Sequence, residues 1–247
     1  MKKYIPAAVT TVALFGIQYL FSRLGWLVAN RFDFSAIDRD GLFAQVAIHH
    51  VVQAVLVIPL IFLLCIVLNS GLKKELKQEI KFEDFKLRPR YDRTGIKYTL
   101  LFCAAFLIYY VIVYIVGFFL SSINTYDYEL NATNVIGTLA FQLFLSGPSE
   151  EILFRSFPIT MLLFFMKPDT KKDRVIAVVI AAFLFGLAHI NIMTFEVPWF
   201  QVCYAFALGL MYGFVFLRSN SIIYPMIMHS MSNVISVGGC YLFMRMV

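Results

Sequence analysis

Charge is scarce in this sequence: 15% of its 247 residues are Asp, Glu, Lys or Arg, against about 25% in a soluble globular domain. Hydrophobic residues make up 60%, where a soluble domain carries about 45–50%, so water is not the main solvent of this chain. Cysteine is sparse as well. Cys65, Cys103, Cys203 and Cys240 stand singly within apolar runs and form no C-x-x-C pair, which leaves no sign of a disulfide framework or a cysteine-ligated zinc site. Apolar and polar residues do not alternate along the runs, and this excludes a lipid-embedded β-barrel. Internal repeats, low-complexity stretches and a soluble domain are also missing. The runs themselves reach or approach the ~20 residues that cross a bilayer as a helix. In lipid only helices and closed barrels satisfy the backbone. The expected fold is therefore all-α, a polytopic transmembrane helical bundle of about seven to eight spans.

The runs give spans over Tyr4–Val28, Leu42–Leu68 and Tyr98–Leu120, a longer region over Val135–Met166, and further spans over Val175–Ala188, Trp199–Leu217 and from Ile222 onward. The Met-Lys-Lys start resembles a signal peptide, but no small-residue cleavage site follows, and an uncleaved first span is expected. Fully helical, the fourth region would be about 48 Å long. Gly147-Pro148 and Pro158 interrupt it, predicting a kinked helix or a membrane helix joined to an interfacial one. Gly238-Gly239 would bend the last helix or split off a short eighth element. Lys and Arg concentrate in Lys2-Lys3, in the loop 71–97, in 167–174 and at Arg218, whereas the alternate loops hold only Arg31 and Arg39. This alternation predicts a multi-pass protein with its N-terminus and the loop 71–97 in the cytoplasm. The same clustering beside spans assigns the net charge of +6 to topology. The partner it implies is the lipid bilayer, and no nucleic acid is expected. The chain reads as one membrane domain.

Ionisable groups inside a span are costly and are functional candidates by default. The fourth region carries Glu150, Glu151 and Arg155, the fifth span ends in Phe185-Gly-Leu-Ala-His189, and the last contains His229-Ser-Met-Ser-Asn233. Glu151 and Arg155 are one helical turn apart and can pair, and His229 and Asn233, at the same spacing, share a face. Glu150, about 100° further round, is left to point elsewhere. A carboxylate in such a site can accept a proton from water and return it. A helix-packing clamp, a proton or ion relay, and a catalytic site all remain open on spacing alone. His49-His50, opening the second span, reads as interfacial, and Asn131-Ala-Thr133 matches a glycosylation acceptor triplet.

Taken in order on successive helices, E-E-x-x-x-R at 150–155, F-x-x-x-H at 185–189 and H-x-x-x-N at 229–233 resemble the CAAX-protease and bacteriocin-processing (Abi, CPBP) family of intramembrane proteases. The motifs depart from the family pattern at no position, while 1–120 carries no family mark. H-E-x-x-H, G-x-G-D and G-x-S-G motifs are absent. The resemblance implies N-terminal transmembrane helices in 1–120, a catalytic transmembrane core in 121–247, and peptide-bond hydrolysis at a membrane-embedded site opening towards the cytoplasm. By position, Glu150 would activate water, His189 would assist it, Glu151 would be a second acid held by Arg155, and His229 and Asn233 would stabilise the oxyanion. Arg155 and Phe185 would support the site. The family is also described as metalloproteases, so zinc held by Glu150, His189 and His229 stands beside metal-free, glutamate-activated water. The implied substrate is a membrane-bound protein or peptide, prenylated or not. Transport through the same polar groups, or a bacteriocin-immunity or scaffold role, are the competing functions.

Overall fold

The computed structural model describes residues 4–71, 78–120, 123, 125–167, 170–190 and 196–246. Lys2-Lys3, Lys73, Lys74 and Lys77, which contributed to the predicted topology, lie outside the described residues. Seven helical rods account for most of the chain, and no β-strand occurs among the described residues. They are α1 (Tyr4–Ala29), α2 (Ala44–Gly71), α3 (Arg93–Leu120), α4 (132–166), α5 (Lys171–Leu187), α6 (Trp199–Ser219) and α7 (Ile223–Met244).

Local chemistry sets where the rods begin. Asp38 accepts hydrogen bonds from the backbone N–H groups of Leu42, Phe43 and Ala44 at 2.8, 2.9 and 2.6 Å, ordering the entry to α2. Asn131 caps α4 by accepting from Asn134 N at 2.9 Å, so this acceptor triplet has a structural use as a helix cap. Thr170 and Asp173 form a reciprocal capping box at the start of α5. Four rods are long and apolar enough to cross a membrane: Ile5–Ala29, Ala44–Gly71, Arg93–Leu120 and Trp199–Ser219. Their outward faces expose Val12, Ile66, Leu100 and Ile108, surfaces suited to lipid rather than water.

The fourth region is neither broken nor split. α4 runs through its prolines as α-helical sections Ala132–Phe141, Gly147–Glu151 and Phe157–Met166, joined by π turns at Gln142–Ser146 and Ile152–Ser156. Pro148 and Pro158 have no N–H for the carbonyls of Phe144 and Phe154, and their rings press on those carbonyls. Each affected carbonyl lies inside a π turn, where the wider backbone coil makes room. α7 likewise passes unbroken through Gly238-Gly239, and a Cβ at Gly239 would come within 2.5 Å of the Tyr114 ring. Gly239 admits α3, and neither glycine marks an eighth element.

The two ends of the bundle differ. At the end where α2, α4 and α6 finish, the segment before α3 tucks under the rods. Gln78 Nε2 donates to Phe164 O at 2.5 Å, Thr160 Oγ1 to Asp84 O at 3.3 Å and Ser156 Oγ to Phe85 O, while Ile222 N donates to Lys86 O at 3.1 Å. Ile80, Phe85, Leu14, Phe157, Leu162 and Met166 form one continuous buried core there. At the other end, Asn134 Nδ2 donates to Asp40 Oδ2 at 2.7 Å, and the Tyr128 and Tyr241 hydroxyls meet at 2.9 Å.

Candidate active site

Glu150, Glu151 and Arg155 all lie between the two π turns of α4 or in the second. α4 is pressed against α7 here: a Cβ on Gly147 would fall 2.5 Å from Ser230 Oγ and 2.7 Å from Met226 O. Glycine is required by that approach, which brings the carboxylates level with His229.

Glu151 is fully buried, with Oε2 3.3 Å from Arg155 Nε and Oε1 2.8 Å from His229 Nδ1. Arg155 is also fully buried, and its guanidinium lies 4.0 Å from the centroid of the Phe185 ring and 5.3 Å from that of Tyr212. The cation is thus held by one carboxylate and two aromatic faces. Phe185 further meets the rings of His189 and His229 edge-on at 5.1 and 5.8 Å. Glu150 points the other way, as its angular offset predicts. Its Oε2 lies 3.7 Å from His229 Nε2 and its Oε1 lies 3.5 Å from His50 Nδ1. His229 therefore stands between two carboxylates, and its ring stacks on Tyr212 at 5.2 Å.

Glu150 opens into a cavity of about 650 Å³, whose wall also includes His49, His50, Gln53, Phe185 and His189. His189 Nδ1 lies 2.9 Å from Phe185 O. With Nδ1–H donating there, Nε2 is the ring nitrogen left for a further partner. Asn233 is placed differently from the other motif residues. Its Nδ2 donates to Gln142 Oε1 at 2.8 Å and to Ser146 Oγ at 3.0 Å, so both amide hydrogens tie α7 to the first π turn.

The principal residue that sequence reasoning passed over is His50. It and His49 are buried because α1 packs close: Trp26 stacks on His49 at 4.5 Å, and Ser22 Oγ is 3.3 Å from His49 Nε2. His50 Nδ1 also reaches Ser149 Oγ at 3.1 Å. Ser149 in turn donates to Leu145 O at 2.6 Å. The signal was available: His49, His50 and Gln53 cluster near the start of α2, ahead of an unbroken apolar run from Ala54 to Leu68.

Among the described residues no three His, Cys, Asp or Glu side chains form a group that could hold a metal ion. The Nδ1 contacts of His229 and His189, with Glu151 and Phe185 O, are of the kind that also orient zinc-bound imidazoles.

Residues 132–235 match one family model, described as type II CAAX prenyl endopeptidase, Rce1-like. Over that segment the chain is similar to the Rce1-like family. No curated protein and no solved structure gives a match. The Rce1-like segment contains all three motifs read from the sequence, and the cavity that Glu150 faces is completed by α1 and α2, which lie outside it.

Proposed function

We propose that the chain is a membrane-embedded endopeptidase in which Glu150 activates water against a peptide bond. The observation that carries this reading is Glu150 itself: a carboxylate at the wall of a cavity, flanked by imidazoles, within a segment that matches a protease family. The same reading takes all seven rods as spans with the N-terminus cytoplasmic, and 121–247 as the catalytic core braced by 1–120.

Each residue has a part in the step. A water held between Glu150 and His189 Nε2 gives its proton to the Glu150 carboxylate as its oxygen attacks the scissile carbonyl carbon. The oxyanion forms facing His229. In the reacting state His229 would carry a proton on each ring nitrogen. That imidazolium keeps Nδ1–H on Glu151 and presents Nε2–H to the oxyanion. Glu150 then returns its proton to the departing amine as the C–N bond breaks. Arg155 holds Glu151 in place, and Phe185 sets the position of Arg155, His189 and His229 together. Asn233 holds the first π turn, and it would donate to the oxyanion only on releasing Gln142 or Ser146. The substrate is a membrane-bound protein or peptide, with or without a prenyl group.

The test compares purified protein with Glu150→Gln on a panel of lipidated and unlipidated fluorogenic peptides in liposomes, with and without a zinc chelator. Glu150→Gln is expected to reduce cleavage by about 10²-fold or more while the protein stays folded, and cleavage is expected to survive the chelator. Equal cleavage by both proteins would remove Glu150 from the chemistry, and loss on chelation would reassign it to a metal.

A further inference from the structure

The rods alternate in direction, so each end of the bundle collects a defined set of chain segments. Of the 21 Lys and Arg residues, only Arg23, Arg31, Arg39 and Arg245 belong to the end where α1, α3, α5 and α7 finish, and Arg155 is buried between the ends. The others precede α1 in sequence, lie between α2 and α3 or between α4 and α5, or fall in the turns of α3, α5 and α6 at that end, Arg218 being beside the α6–α7 link; Lys2, Lys3, Lys73, Lys74 and Lys77 are counted by sequence position alone. Positive charge marks the cytoplasmic side of a multi-pass protein.

The cavity opens at the opposite end. Its wall rises from buried His50 and partly buried Glu150 to exposed Arg23 and Trp26 in the last turns of α1, and to exposed Ala188 at the finish of α5. The basic end, by contrast, is packed solid. Phe85 is fully buried and stacks on Phe157, and Ile80 and Met166 are buried in the same core. This closed layer begins at Ser156, which donates to Phe85 O and follows Arg155 directly.

We infer that the active site is entered from the non-cytoplasmic side of the membrane, and that its substrate is an exterior-facing peptide segment next to the bilayer, such as the membrane-proximal part of an exported peptide. This rests on the protease reading for the chemistry but not for the sidedness, and it reverses the cytoplasmic opening that the family resemblance implies. Exposed Phe15 and Tyr19 on α1 line the same cavity, so an apolar segment can also enter it sideways from the lipid.

Sidedness is tested by thiol labelling, which needs no activity. In a background lacking Cys65, Cys103, Cys203 and Cys240, single cysteines are placed as Ala188→Cys at the cavity mouth, Ser35→Cys in the link between α1 and α2, and Arg90→Cys in the basic segment. Cells are treated with a membrane-impermeant maleimide before and after permeabilisation. The expected result is full labelling of Ala188→Cys and Ser35→Cys in intact cells, and labelling of Arg90→Cys only after permeabilisation. The reverse pattern overturns the inference, as does labelling of Ser35→Cys with Ala188→Cys silent throughout, which would show the mouth closed to water. Ser35 and Arg90 are surface positions, so those two variants report orientation even if Ala188→Cys does not accumulate. In a second arm, wild type in liposomes sorted by orientation is given a membrane-anchored peptide on the outer surface. Cleavage is expected only where the cavity end faces outward, and cleavage only in the opposite orientation overturns the inference. No cleavage in either orientation or in detergent would sink the protease reading, and the labelling pattern alone would then decide sidedness.

Discussion

At the scale of single residues, the most exacting position is Arg155. A guanidinium with no exposed surface is stabilised by Glu151 at 3.3 Å and by the faces of Phe185 and Tyr212. Removing it strands the fully buried Glu151 carboxylate, and breaking such a pair costs about 3–5 kcal/mol. Arg155→Leu is accordingly expected to lower the thermal midpoint in detergent sharply, and Glu151→Leu/Arg155→Leu to lower it less, although the double variant loses the acceptor for His229 and with it cleavage. A single variant as stable as wild type would show that the pair is not needed to hold the helices together. The Glu151–Arg155 pair was legible in the sequence because four residues along a helix is a contact. His50 was not, because its partner Glu150 is far away in the chain and no local spacing links them. Which way Asn233 turns its amide was equally hidden, since that depends on how α4 coils at Gln142 and Ser146.

At the scale of elements, α4 is the part of the fold that the sequence described least well. The prolines are visible, and an ordinary reading of them is a break. The rod instead widens twice, and the short α-helical section Gly147–Glu151 between the π turns carries both carboxylates. An extra residue taken into a coil shifts everything beyond it by about 100° around the axis, so the turns set which way Glu150 and Glu151 face. Contact with α7 at Gly147 fixes the section against His229. Gly147→Ala is expected to push backbone against backbone at Met226 and Ser230, separating α4 from α7 and lowering both cleavage and the thermal midpoint. Gly16→Ala, where a Cβ would meet nothing within 4 Å, is expected to leave both unchanged or raise stability slightly, because alanine favours helix over glycine. Equal behaviour of the two variants in activity and melting would show that the close approach has no consequence. The other rods follow the apolar runs closely, since a long unbroken run leaves lipid-exposed backbone no alternative to a helix.

At the scale of the whole molecule, the bundle is filled at one end and hollow at the other. Besides the polar cavity, an apolar groove of about 720 Å³ runs between α3 and α7, bounded by Tyr114, Phe118, Leu139, Gly238 and Tyr241. It too belongs to the end away from the basic segments. This division was not readable from hydropathy, which ranks rods by how apolar they are and is silent on which ends pack tightly. Opening of a protein is easiest where few buried contacts must be broken. Amide hydrogen exchange should consequently be graded along the axis and not from rod to rod. Amides of 156–164 in α4, roofed by Phe85 and its neighbours, are expected to exchange far more slowly than those of the first turns of α2 and the last turns of α7, measured by mass spectrometry in detergent. Uniform protection within each helix would count against that gradient. One end thereby keeps time for the other: the anchored half is expected to open far more rarely than the hollow half, where a chain would enter.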